Sequence, residues 1–329
     1  MQHQYSEVEE RLLNWVRDSF VDLGSDATKQ GRAIRDSIIA QIEDISGQGG
    51  FPILLIGESF GAGSFGRRTL CKPLDDIDIY IVMNAGGATV SDDGTTYTLE
   101  GKTPGPLTNE SVLREGFWIS ADLVLQRVAY RVGRLPTVQE KGSGSGINNK
   151  RKSAFIKFGD LNIDITPVVC ARFSNAIDRY YMPVGRGSTF WKPTNPKEDQ
   201  RRLSAQNQAQ RELLLPIVRM LKWWNQTVNQ GRIKGIHLEV MVERALAGYY
   251  LEGIAQGLHL AFASIPGQLQ NTCPDPTGLG PALDVNLSPE DRSNSSQLAS
   301  AAHLTACLKG LTWGHYMPGV MYLSGQNKA

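Results

Sequence analysis

The sequence predicts an α+β chain of two lobes, with sheet and helix mixed over residues 1–185 and a mostly helical lobe over 186–329. Three observations predict it. A helix-spaced segment leads the chain. Short runs of strand character, Asp76–Met83 and Leu161–Val169 among them, are confined to the first part. After about residue 185 the pattern turns to long helical periodicity. A chain of 329 residues is long enough for two lobes. With 41% hydrophobic and 20% charged residues it can bury a substantial core.

Residues 5–47 read as helix, because Leu12, Leu13 and Val16, then Ile34, Ile38, Ile39 and Ile42, recur at helical spacing, with an interruption at Gly24–Asp26. Gly47–Gly50 breaks the pattern, and the compact apolar run Phe51–Ile56 reads as a strand. A polar Gly/Ser loop, Gly57–Arg67, separates it from the strand Asp76–Met83. Ser91–Leu99 reads as part of a hairpin turning at Asp93-Gly94, Ile119–Gly133 as a helix, and Gly142–Gly146 as a flexible loop. Ala154–Phe158 and Leu161–Val169 are the next strands. Gln200–Asn225 and His237–Leu258 each read as one long helix. Pro274–Pro289 is loop-like, and Ser288-Pro289-Glu290-Asp291 opens a last helix that runs to about Leu308.

The bulk numbers narrow the partners. A net charge of +1 argues against a long nucleic-acid duplex, whose affinity comes from phosphate neutralisation, but it permits a small basic pocket. Cys71, Cys170, Cys273 and Cys307 are scattered without metal-ligand spacing and read as reduced thiols of a cytoplasmic protein. The five histidines are too dispersed for a zinc site. Met1–Val16 is charged and lacks a signal-peptide core, and no run of 18 apolar residues exists, so no membrane is expected. A monomer is the default.

The chemistry concentrates in one constellation. Gly63-Ser64 precedes Asp76-Ile77-Asp78-Ile79, and a later strand offers Ile163-Asp164-Ile165. Side chains alternate along a strand, so Asp76 and Asp78 share one face while Ile77 and Ile79 face the core. Adjacent carboxylates repel unless a cation lies between them, and a hard divalent ion would use both as ligands. With Asp164, three acids can hold two Mg²⁺ ions, or Mn²⁺, for an in-line phosphoryl or nucleotidyl transfer. Gly63 lets backbone approach a phosphate, and Ser64 adds a hydroxyl. Arg67 is placed either to balance phosphate charge or to pair with a neighbouring acid. Asn195 suits either a base-edge contact or a turn. Lys150-Arg151-Lys152 is a charge run whose default is a solvated loop.

Gly63-Ser64-Phe65-Gly66-Arg67-Arg68-Thr69 followed by Asp76-Ile77-Asp78 resembles the active-site pattern of the DNA polymerase β nucleotidyltransferase superfamily. Within it the chain is most similar to the bacterial CD-NTases, relatives of cyclic GMP-AMP synthase and oligoadenylate synthase. The resemblance spans about residues 5–310, most strongly 57–82 and 160–168, and includes Val218-Arg219-Met220-Leu221-Lys222-Trp223-Trp224, His237-Leu238-Glu239-Val240 and Asp275-Pro276-Thr277-Gly278.

The resemblance implies a two-lobed polymerase-β-like nucleotidyltransferase fold with the site in the cleft. It implies that Asp76, Asp78 and Asp164 bind the metals, that Ser64 touches the donor triphosphate, and that Lys222 contacts phosphates. Without it, Lys222 beside the stripe Leu214, Ile217, Val218 and Leu221 would read as a solvated neighbour. The implied product is a cyclic dinucleotide, from ATP and GTP foremost, that serves as a second messenger of antiphage defence sensed by a separate effector. A linear or RNA-extending nucleotidyltransferase, or a silent nucleotide sensor, is the alternative. The family also implies that a C-terminus such as Gly325–Ala329 can be conjugated by a ligase system. One departure stands out: some relatives carry Ser-Tyr just before the histidine of the helical lobe, where this chain has Gly235-Ile236 before His237.

Overall fold

The computed structural model describes residues 7–92, 97–101, 113–115, 118–150, 152–171 and 179–307. By their contacts the residues gather into two compact units, one of Met1–Gly24, Arg67–Pro73 and Asp199–Ala329, the other of Ser25–Gly66 and Leu74–Glu198.

In chain order the elements are α1 (Glu7–Val16), a π-helical turn (Arg17–Val21), α2 (Ser25–Asp44), β1 (Phe60–Ala62), α3 (Gly63–Gly66), β2 (Asp76–Met83), β3 (Thr89–Asp92), β4 (Tyr97–Glu100), β5 (Arg114–Glu115) and β6 (Trp118–Ile119). Then come α4 (Ala121–Val132), α5 (Pro136–Lys141), β7 (Gly144–Asn148), β8 (Ser153–Phe158), β9 (Leu161–Ala171), β10 (Arg179–Pro183) and β11 (Trp191–Thr194). The chain continues through α6 (Pro196–Ala209), α7 (Leu214–Thr227), α8 (Gly235–Leu246), α9 (Ile254–Gln268) and α10 (Pro289–Cys307).

The sheet unit holds a mixed sheet in the order β1-β2-β9-β10-β11-β4-β6-β5, with β3 on β4 and the β7–β8 hairpin joined through β8 to β9. The β2–β9 pair is parallel. The alternating pattern of Asp76–Met83 does what the sequence predicts: Ile77, Ile79 and Ile81 are fully buried. Helix α4 starts at Ser120, whose hydroxyl accepts from the Leu123 amide, and buries Val124, Leu125, Val128 and Val132.

In the helical unit the core surrounds α7, whose Leu214, Ile217, Val218 and Leu221 are fully buried. Trp223 and Trp224 are both core residues, Trp224 meeting Phe262 edge-on at 5.1 Å between ring centroids. Helices α7 and α9 approach closely at Gly257, where a Cβ would lie 2.1 Å from the Ile217 Cδ1.

Five expectations change. Phe51–Ile56 is not a strand. It runs beside the end of β2 with a single bridge, Leu54 to Met83. The loop expected over Gly57–Arg67 contains β1 and α3. Gly144–Gly146, expected as loop, pairs with β8 along its length. The single helix over Gln200–Asn225 is two, because Arg211 and Glu212 adopt left-handed backbone, φ 55° and 63°, and Asn207 Oδ1 accepts the Leu215 amide to start α7. The helix over His237–Leu258 also divides: α8 ends at Leu246, before Gly248 at φ 78°, and the Glu10 carboxylate accepts the Ile254 and Ala255 amides at the start of α9. The Asp93-Gly94 turn, Arg151 and the tail Gly325–Ala329 lie outside the described residues.

Candidate active site

The two acidic strands are neighbours. In the β2–β9 register Asp78 lies opposite Asp164 and Asp76 opposite Asn162. Registered residues of adjacent strands point to the same face, so the carboxylates of Asp76, Asp78 and Asp164 share one side of the sheet. Ile77, Ile79, Ile163 and Ile165, all at 0% exposure, anchor the other. Asp164 is buried, and its Oδ1 accepts from Ser153 Oγ at 2.6 Å and Asn148 Nδ2 at 3.4 Å. Those bonds offset part of the cost of burying a charge.

Gly63 closes the constellation on the Asp78 side. Ala62 of β1 registers with Asp78, and the next residue, Gly63, sits at φ 59°. A Cβ built there would lie 1.6 Å from Asp78 Oδ2, so backbone presses directly on the carboxylate. The turn is held by Phe65, buried, whose ring lies 2.8 Å from where a Cβ on Gly31 would be. Ser64 follows in α3, half-buried. Gly63→Ala therefore carries both left-handed strain, about 1–2 kcal/mol, and displacement of the Asp78 carboxylate. The expected result is turnover lowered roughly tenfold or more, from about 1.4 kcal/mol of misplacement, with a smaller loss of stability in urea titration. Unchanged turnover would show that Gly63 does not set the position of Asp78.

Arg67 and Lys222 converge in the helical unit on one acid, Glu239. Arg67 Nε and Nη2 reach its two oxygens at 2.8 and 3.3 Å, Lys222 Nζ reaches Oε1 at 3.1 Å, and Thr69 Oγ1 donates to Oε1 at 2.8 Å. Burial raises the Glu239 pKa, but Arg67 and Lys222, with the hydrogen bonds from Arg67 and Thr69, outweigh it, and the net value is lowered. Gly235 makes room for this lysine: a Cβ there would lie 3.3 Å from Lys222 Cε. Asn195 is buried and caps α6, its Oδ1 accepting the Glu198 amide at 3.1 Å. His237 is buried, and desolvation lowers its pKa to about 4, which suits a packed neutral imidazole.

Sequence reasoning missed Glu239 and Thr69 as partners. The available signal was a glutamate inside the apolar stretch Leu238–Val242, which requires a buried cation.

The acids fit a divalent cation in chemistry and in register: hard oxygen donors, side by side on rigid strands, with backbone crowding one of them. Among the described residues no three His, Cys, Asp or Glu groups converge on one ion-sized position. Asp164 Oδ1 instead faces Ser153.

The chain matches no protein-family model. It is 26% identical over 272 residues to a Bacillus cereus (strain VD146) protein named as a probable cyclic nucleotide synthase, covering 81% of this chain and 80% of the relative. Two solved structures of CdnC from E. coli MS115-1 share the fold at 14% identity. The complex with HORMA-deltaN has a TM-score of 0.65 and covers 93% of each chain. The structure with ATP has a TM-score of 0.66 and covers 93% of this chain and 95% of CdnC.

The chain is thus similar to a probable cyclic nucleotide synthase and shares the fold of CdnC. Its α+β fold matches that of the CdnC structures, and the similarity to a named cyclic nucleotide synthase supports a nucleotidyltransferase enzyme. Among the described residues no helix is long and apolar enough to cross a membrane.

Proposed function

We propose that this protein joins nucleoside triphosphates, ATP and GTP foremost, into a cyclic dinucleotide that acts as a second messenger in antiphage defence. The observation that carries the reading is the β2–β9 register, which sets Asp78 against Asp164 and Asp76 on the same face, with Gly63 backbone against Asp78. The similarity to a named cyclic nucleotide synthase supports the same reaction class.

In this reading Asp76, Asp78 and Asp164 hold two divalent ions, Mg²⁺ or Mn²⁺. Bound there, the ions lower the pKa of an attacking hydroxyl and neutralise the leaving pyrophosphate. The Gly63-Ser64 turn binds the donor triphosphate through backbone amides and the Ser64 hydroxyl. Ser153 and Asn148 fix the Asp164 carboxylate on the attacking side. Arg67 and Lys222, held by Glu239, keep a positive charge available for phosphate. A 2′- or 3′-hydroxyl forms a bond to the donor α-phosphorus, the bond to the β-phosphate breaks, and pyrophosphate departs. A second, intramolecular transfer closes the ring. The effector is a separate protein, and the protein works in the cytoplasm as a monomer.

Product analysis tests this. The protein is incubated with all four triphosphates and Mg²⁺ or Mn²⁺, beside an Asp76→Ala/Asp78→Ala control. A phosphatase-resistant dinucleotide of cyclic mass, absent from the control, is expected. A growing RNA ladder in its place, or tight ATP binding with no turnover, would replace the reading by one of its alternatives.

A further inference from the structure

The β7–β8 hairpin lies next to the acids, and apart from Asn148 and Ser153 its residues have no role in the reaction described so far. Its strands close at Asn148 opposite Ser153. On β8, Phe155 registers with Asp164 and Lys157 with Asn162. On β7 the residues opposite these two are Gly146 and Gly144. The missing side chains matter: a Cβ at Gly146 would lie 3.0 Å from the Phe155 ring, so the ring rests on bare backbone. The face that carries the acids thus continues across three strands as an aromatic ring, an amide and a lysine.

Two open hollows follow from this. The first, about 430 Å³, is lined by Lys150, Phe155, Lys157, Asn162 and Asp164 among others. The second, about 360 Å³, shares Asn149 with it and is lined by Lys152, Arg186 and the Gly185–Ser188 loop. Both are in the size range of small-ligand pockets. Among the described residues no carboxylate pairs with Lys150, Lys152, Lys157 or Arg186. Lys152 is held in left-handed backbone at φ 63°, an uncommon state for a lysine, and a Cβ at Gly185 would lie 3.1 Å from its Nζ. Burial first, and then the charge of Lys152, lower the pKa of Lys192. Cations collected without a carboxylate paired to them are poised for an anion.

We infer that the two hollows hold the acceptor nucleotide, with base and sugar against Phe155 beside Asp164, and its own 5′-triphosphate along Lys150, Lys152 and Arg186. The inference rests on the proposed reaction. Its chemical reason is that the two substrates differ. The donor triphosphate would be neutralised by the divalent ions that the acids hold, and it is consumed. The acceptor keeps its triphosphate through the first transfer and needs cations of the protein's own. The hollow that touches Asp164 leads to such cations.

Two analogues separate the substrates. A 2′,3′-dideoxy triphosphate has no attacking hydroxyl and serves only as donor. An α,β-methylene triphosphate cannot release pyrophosphate and serves only as acceptor. Supplied together, they undergo one transfer: the acceptor hydroxyl oxygen bonds to the dideoxy α-phosphorus, pyrophosphate leaves with the electron pair, and the hydroxyl proton passes to water. KM is measured for each analogue, with each base, in the wild type, in Lys152→Gln/Arg186→Gln and in Phe155→Ala, with melting curves as a check on folding. The acceptor KM is expected to rise about tenfold or more, roughly 1.4 kcal/mol of lost binding, with the donor KM unchanged. A Lys152→Arg/Arg186→Lys variant is expected to restore most of it. Equal changes for both analogues, or no change, would overturn the inference.

If the wild type yields no transfer, the proposed function has failed by itself, and equilibrium binding of α,β-methylene ATP in EDTA decides the site. Binding lost in the Lys152→Gln/Arg186→Gln variant supports it, while absent or unchanged binding overturns it. Binding of single-stranded RNA that is lost in this variant while the analogues are unaffected would also overturn it, in favour of a nucleic-acid surface.

Discussion

Asp164→Asn and Asp78→Asn are each expected to lower product formation by about three orders of magnitude or more, because the charge stabilisation that a metal supplies to a transferring phosphoryl group is worth several kcal/mol. The fold should survive both changes. Asparagine keeps the shape of the side chain, and at Asp164 an amide oxygen can still accept from Ser153 Oγ. Without divalent ions the variants should melt at or above the wild-type temperature, since each removes one of several like charges on a shared face. With Mg²⁺ or Mn²⁺ the wild type should gain melting temperature by linkage, and the variants should gain little. Turnover in Asp78→Asn equal to wild type would remove this carboxylate from the reaction, and an undiminished metal-induced shift in both variants would place the ions elsewhere.

The second large effect is structural. Glu239→Ala should destabilise the protein by about 3–5 kcal/mol, the usual cost of leaving a buried charge without its partner. Here the change removes the carboxylate that two cations and a hydroxyl share: Arg67 and Lys222 are 14% and 11% exposed, and both point at it, as does Thr69. Urea titration measures it, and a loss well under 1 kcal/mol would mean that water or other groups replace the carboxylate. The linkage has a definite sign. The folded pKa of Glu239 is below its ordinary value of 4.5. Its contribution is therefore present above about pH 4.5 and is lost as the pH falls through the lowered folded value. The wild type should show that acid limb, and Glu239→Ala should show a shallower one.

The site was legible where the signal is local. Asp-Ile-Asp-Ile on a strand declares which residues face the core, and the burial of Ile77 and Ile79 beside half-buried Asp76 and Asp78 follows from alternation alone. Ile163-Asp164-Ile165 carries the same message, though all three turn out buried. The helix breaks were less legible. Gln200–Asn225 has continuous helical composition, and nothing in periodicity announces left-handed backbone at Arg211 and Glu212. The cap of α9 comes from Glu10, which is 244 residues away from Ile254 in sequence. Gly-Ser-Gly at 144–146 reads as a loop because glycine disfavours strands, yet β8 supplies the hydrogen bonds that hold it extended.

By itself, then, the sequence determined the fold class, the acid-bearing strands, the helical second part and the likeness to the CD-NTases, because these rest on side-chain alternation, helical period and short motifs. Tertiary structure decided the rest. It set Asp78 opposite Asp164 in a parallel pair, placed the Gly63 backbone against Asp78, and tied Arg67 to a glutamate 172 residues away. It also committed Asn195 to a helix cap and opened the hollows beside Asp164. The physical reason is range. A pattern along the chain says which face of an element is buried, whereas the partner of a charge and the space beside it depend on which distant segments pack against that face.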